Sequence, residues 1–187
     1  MDSLKQFVFN ALLLEDSFVA LEDEGVSVRG GREAQPMSRI SGKDFSPRIV
    51  HGANQMASVY VAFYCLENAV RELISERLAE RRGLNWWNEA VPRRIREQVA
   101  SPMDKENRYH AQRSADPIGY TMFGNLAQII ISNWDDFSDL FPEQAWVTAR
   151  FKDMEMSRNI IMHTSKLPQI EIDRIESIMR DWLSQVG

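Results

Sequence analysis

At 187 residues with 44% hydrophobic content, the chain has the size and composition of a globular protein with one sizeable core and little more. A formal net charge of −5 excludes a uniformly basic nucleic-acid binder, and a single cysteine excludes an intrachain disulfide. No apolar run approaches the length needed to span a bilayer.

The charge is unevenly spread. Residues 25–52 carry five basic against two acidic side chains, and residues 81–113 carry eight against four. Arginine outnumbers lysine 17 to 5, a bias that suits forked recognition of phosphate. Ordinary charge scatter over solvated loops accounts for it equally well. The N-terminal apolar stretch is interrupted by Asn10, runs into Glu15 and Asp16, and has no small-residue cleavage site, so no secretory signal is expected. A reducing cytoplasm is the expected compartment. No set of Cys, His or carboxylate residues has metal-ligand spacing, so neither a metal nor any other cofactor is expected.

In chain order, Leu4, Phe7, Val8, Ala11, Leu14, Phe18 and Leu21 predict a helix over 3–23, stopped near Gly25. Residues 25–52, with Gly30, Gly31, Pro36 and Pro47, read as a long loop with a short hairpin around Val26 to Val28. Val59, Phe63, Leu66, Val70 and Leu73, widened by Ile74 and Leu78, predict a long helix over 54–82 that ends at Gly83. Cys65 falls in this helix and reads as a small core residue. Trp86 to Gln98 predicts a short helix starting near Pro92, followed by an irregular, charged stretch over 99–117. Ile118, Met122, Leu126, Ile129 and Ile130 predict a helix over 118–134, and 135–142 reads as a turn or short helix. Val147, Phe151, Met154 and Ile161 predict a helix over 143–165, broken by Pro168, and Ile172, Ile175, Ile178, Met179 and Trp182 predict a last one over 169–185. No strand alternation competes. The expected class is all-α, a bundle of four main helices with an additional N-terminal helix and long connecting loops. The expected division is an extension over 1–52 and a helical domain over 53–187.

The hexapeptide Arg158-Asn159-Ile160-Ile161-Met162-His163 carries the most chemistry. It sets a guanidinium, an amide and an imidazole within about one and a half helical turns. Arginine holds phosphate oxygens, and histidine exchanges protons near neutral pH. With 17 Arg and 3 His in the chain, one such spacing is expected by chance about 0.27 times, so spacing alone does not identify a site. At 100° per residue, Arg158 shares the apolar stripe of Val147 and Phe151. A guanidinium there must be paired or must open onto a cleft. Asn159 and His163 share a second, semi-apolar face with Lys152 and Met156, as expected of a helix that packs on its own bundle and on a partner. The plainer alternative is an internal ion pair at Arg158 and a surface His163.

Glu67, between Phe63 and Val70, is a candidate partner that would neutralise or orient Arg158. A solvated Glu67–Arg71 pair at i,i+4 spacing is the alternative. His51 and His110 read as surface residues in loops. Trp87, next to Trp86 and followed by Arg93, Arg94 and Arg96, could stack bases and grip phosphates of single-stranded RNA. A tryptophan pair that simply packs on the bundle is the competing reading.

The hexapeptide resembles the signature of the HEPN superfamily. Tyr64-x-Leu66-Glu67-Asn68-Ala69-Val70-Arg71-Glu72-Leu73-Ile74 is similar to the first helix of its Swt-like branch. Leu126-x2-Ile129-Ile130-x3-Trp134-x2-Phe137-x2-Leu140-Phe141-Pro142 is similar to the middle segment of that branch, and the resemblance spans roughly 55–186. The fold it implies is a four-helix HEPN-type bundle. The activity it implies is metal-independent endoribonuclease action in a toxin or in phage defence, with two Arg-x4-His motifs meeting across a homodimer. Other members only bind or dimerise. Ile160 departs from a stretch where related sequences often carry proline. By this resemblance His163 would serve as general base or acid, Arg158 would hold the scissile phosphate, and Asn159 would orient His163 or touch the phosphate. Transfer RNA is the substrate expected at family level, and an antitoxin or another regulatory protein is an open partner.

Overall fold

The computed structural model describes residues 44–109 and 111–186. Within them the protein is all-α, with seven α-helices, one 3-10 turn and no strand. Its contacts divide it into two units, Met1–Gln55 and Met56–Gly187. The helix expected over 3–23, the hairpin and most of the basic loop lie outside the described residues, as does His110.

Helix α1 runs from Pro47 to Arg82, about two turns longer at its start than its apolar pattern predicts. Pro47 can open it because the first helical position needs no N–H partner. His51 therefore sits on a helix and not in a loop, although it is exposed as expected. At the other end Gly83 takes φ +82°, the left-handed conformation that stops a helix at low cost, and its N–H donates to the Ala79 carbonyl at 2.9 Å. Val59, Phe63, Leu66, Val70, Ile74 and Leu78 bury one stripe of α1. Cys65 lies about 200° from Phe63 around the helix and is exposed, so its expected place in the core is corrected.

Helices α2 (Trp86–Ala90) and α3 (Arg93–Tyr109) replace the one short helix expected here. The stretch from 99 to 109, read as irregular, is helical despite Pro102. Ile95 and Val99 are buried and Met103 packs on the core beyond them, so an i, i+4, i+8 stripe carries the helix across the proline. The carbonyl that Pro102 leaves without an N–H belongs to Gln98, which is exposed to water.

A 3-10 turn over Pro117–Tyr120 precedes α4 (Phe123–Ser132), so the helix expected over 118–134 is shorter. The Thr121 hydroxyl donates to the Ile118 carbonyl at 2.6 Å and closes the turn. Then come α5 (Trp134–Phe137), α6 (Gln144–Met162) and α7 (Gln169–Val186). Helix α6 ends three residues before its expected stop. Thr164 adopts φ 58°, while Ser165 N–H donates to Ile160 O at 3.1 Å and Thr164 N–H to Ile161 O at 2.9 Å, a Schellman closure.

The buried stripe of α1 joins one core with α4, α6 and α7. Phe123 stacks on Phe151 with centroids 4.8 Å apart, and Trp182 packs against Phe151 at 5.2 Å and Phe141 at 4.9 Å. Each such side chain gains roughly 1.5–3 kcal/mol from leaving water. A polar clamp fixes the end of α1 to α5. Arg82 Nε donates to the buried Asp136 carboxylate at 2.8 Å, and Arg77 donates to the Asp136 carbonyl and to Asp139. The Arg77 hydrogen bond holds the Asp139 carboxyl below the usual carboxylate range. Among the described residues no helix is long and apolar enough to cross a membrane.

Candidate functional site

The apolar stripe of α6 runs Val147, Phe151, Met154 and then, four residues on, Arg158. That periodicity points Arg158 inward, toward the stripe of α1. There Glu67 occupies the position between Phe63 and Val70 and is only 8% exposed. Glu67 Oε2 lies 3.5 Å from Arg158 Nε, and Glu67 Oε1 lies 2.5 Å from Arg71 Nη2. Both expected pairings of Glu67 therefore exist at once, one to each carboxylate oxygen. Arg71 is tied further, to Asn68 Oδ1 at 3.1 Å and to the Thr121 carbonyl at 3.2 Å.

The Arg158 side chain keeps 28% of its surface exposed. It opens onto a cleft of about 420 Å³, a size suited to small organic groups. Tyr60, Tyr64, Glu67, Asn68 and Arg71 of α1 form one wall, Arg158, Ile161 and Met162 of α6 another, and Arg113 and Gly119 a third. Three guanidinium groups thus share one cleft with one buried carboxylate. Arg113 is held in place from the α3 side. Its Nε donates to Glu106 Oε1 at 2.8 Å, its backbone N–H to Glu106 Oε2 at 3.2 Å, and its guanidinium lies 5.0 Å from the Tyr120 ring centroid. The hydrogen bond from Arg113 holds the Glu106 carboxyl below its usual range, and the same bond raises the guanidinium of Arg113.

His163 is the C-cap of α6, exposed, and does not line this cleft. It lies about 140° around the helix from Arg158. Asn159 is exposed too. Its link to His163 is through the backbone, the His163 N–H donating to the Asn159 carbonyl at 3.1 Å. The second face of α6 is solvent-facing and partly apolar, with Met156 62% and Ile160 40% exposed.

The basic and aromatic segment after α1 does not join the cleft. Trp87 is half-buried against the core and packs edge-on to Trp86 with centroids 5.7 Å apart. Arg93 Nε donates to Glu97 at 2.6 Å and Arg96 Nε to the Val91 carbonyl at 3.1 Å, while Arg94 is exposed. Among the described residues no three His, Cys, Asp or Glu side chains cluster as metal ligands would.

A family model described as Swt1-like HEPN matches residues 61–187, well over half of the chain. The chain belongs to the Swt1-like HEPN family. No curated protein and no solved structure matches it. HEPN families comprise ribonucleases and nucleotide-binding modules. In this HEPN domain the motif's arginine and its candidate carboxylate partner come together, whereas the motif's histidine stands apart from them within one copy. Sequence reasoning missed Arg113 and the two tyrosines. Tyr60, Tyr64, Glu67 and Arg71 do recur at three- and four-residue steps, a readable signal for one helix face. Arg113 left no periodic signal, because a loop brings it in.

Proposed function

We propose that this HEPN domain is a metal-independent endoribonuclease whose active site is composite, formed by two copies of the chain. The observation that carries this reading is the placement of the two motif residues. Arg158 is paired, half-sheltered and open to a cleft, while His163 is exposed on another side of the same helix end. One copy does not direct both groups at one phosphate. A second copy docked on the exposed Met156 and Ile160 face would bring its own motif alongside the first.

In that arrangement Arg158 binds the scissile phosphate through the guanidinium edge that Glu67 does not take. One His163 removes the proton from the ribose 2′-hydroxyl, and the 2′-oxygen attacks phosphorus. The bond to the 5′-oxygen breaks, and the His163 of the second copy returns a proton to that oxygen. The products are a 2′,3′-cyclic phosphate and a 5′-hydroxyl. DNA lacks the nucleophile and is left intact. The proposed setting is a cytoplasmic toxin or phage-defence effector acting on RNA such as transfer RNA, with an antitoxin or other regulatory protein as a partner.

The test is incubation of purified protein with total RNA in EDTA, followed by mapping of product ends. Cyclic phosphate ends are expected, with activity reduced at least ~100-fold in Arg158→Ala and in His163→Ala. Full activity in either folded variant overturns the assignment. A second reading is favoured by the Glu67–Arg158 ion pair, which balances the charge of the arginine without substrate. It is an HEPN module that binds RNA or nucleotide and does not cut, and it predicts binding without products in the same experiment.

A further inference from the structure

The cleft carries more recognition chemistry than one scissile phosphate requires. Arg71 gives its Nη1 to Asn68 and its Nη2 to Glu67 and the Thr121 carbonyl. Arg113 is different: Glu106 takes its Nε and Nη2, its side chain is 54% exposed, and no hydrogen bond among the described residues uses its Nη1. It is a part-open guanidinium that lines the same cleft as Arg158 from a different segment of the chain. Tyr64 on α1 lines that cleft too and is 61% exposed. Tyr60 lies one turn earlier, its ring centroid 6.4 Å from that of Tyr64. The α1 wall from Tyr60 to Arg71 is about 16 Å long, against roughly 3.4 Å per stacked nucleotide. Guanidinium groups and an exposed aromatic side chain in one cleft supply partners for both the phosphates and the bases of a strand.

We propose that the cleft is a two-point subsite for single-stranded RNA, in which Tyr64 stacks the base beside the scissile linkage and Arg113 binds the neighbouring phosphate. This rests on the ribonuclease reading for the scissile position, but it makes claims about binding that cutting does not decide. An aromatic face serves every base, so the subsite selects unpaired strands and not a sequence. A second copy of the chain is the rival occupant of the Tyr64 ring. The two charged guanidinium groups favour an anionic strand instead.

The experiment measures affinity in the His163→Ala background, so that cleavage does not intervene. The probe is a short, labelled single-stranded RNA of mixed sequence. Tyr64→Leu, which keeps an apolar side chain but no π-face, should weaken binding at least about fivefold, the low end for one base stack. Tyr64→Phe should retain wild-type affinity. Arg113→Gln should weaken binding and flatten its salt dependence by about one phosphate contact. A fully paired, blunt-ended RNA duplex should not feel Tyr64→Leu. Equal affinity in Tyr64→Leu and the parent overturns the proposal even if the wild-type enzyme cuts RNA. So does a loss in Tyr64→Leu that sedimentation traces to a dimer falling apart. Loss of cutting in the wild type with the Tyr64 effect intact would instead sink the catalytic reading and leave this one standing.

Discussion

The pairing at Glu67 predicts an unequal response to removing its partners. Glu67→Gln keeps the shape of the side chain and deletes its charge. Glu67 is 8% exposed and faces Arg71 at 2.5 Å and Arg158 at 3.5 Å. At an effective dielectric near 20, Coulomb attraction at the longer distance alone is about 5 kcal/mol. Most of that is offset by the cost of desolvating the ions, and breaking a buried pair nets about 3–5 kcal/mol. Solvent reaches part of both arginines, whose side chains are 17% and 28% exposed, so about 2–3 kcal/mol is expected here. The two guanidinium groups would then repel each other with no anion between them. Arg158→Ala behaves differently, because Glu67 keeps its shorter bond to Arg71. Its expected cost is about 1 kcal/mol. Urea unfolding measures both, with midpoints compared at constant slope. The expected loss for Glu67→Gln corresponds to a fall in Tm of about 4–12 °C. Equal losses in the two variants, or a greater one in Arg158→Ala, would refute the reasoning that Glu67 is the hub.

Two other outcomes test the walls of the cleft. A Cβ at Gly119 would stand 2.3 Å from the Ser114 Cβ, so Gly119→Ala should cost about 1–3 kcal/mol. Adding Ser114→Gly should restore most of it in thermal melts, and no rescue would mean that the two residues do not meet. Arg113 holds the Glu106 carboxyl below its usual range, so the pair's contribution is present at neutral pH and lost as pH falls through that depressed value. The stability gap between wild type and Glu106→Gln should therefore be constant near neutrality and close only in acid. A gap that closes on raising the pH would reverse the assigned sign.

Much of this HEPN domain is legible in its residues. The stripe that ends at Arg158 follows the helical period, which puts a guanidinium on an inward face and Glu67 at the edge of another stripe. The same logic misplaces Cys65, because membership of an apolar stretch is not membership of its buried stripe. It also stops α3 short, because the local penalty of Pro102 is visible in sequence while the burial of Ile95 and Val99 that outweighs it is not.

What the amino-acid order determined by itself was the all-α class, the place of Arg158 on an apolar stripe, and the family-like hexapeptide, since these depend on order and periodicity within single helices. Only the tertiary structure decided that Glu67 serves two arginines at once, that Arg113 and Tyr64 face the same cleft as Arg158, and that His163 caps α6 outside it. The Glu67–Arg158 contact joins positions 67 and 158 and the Arg71–Thr121 contact spans 50 residues, and a helical period carries no information about which distant segment packs against it.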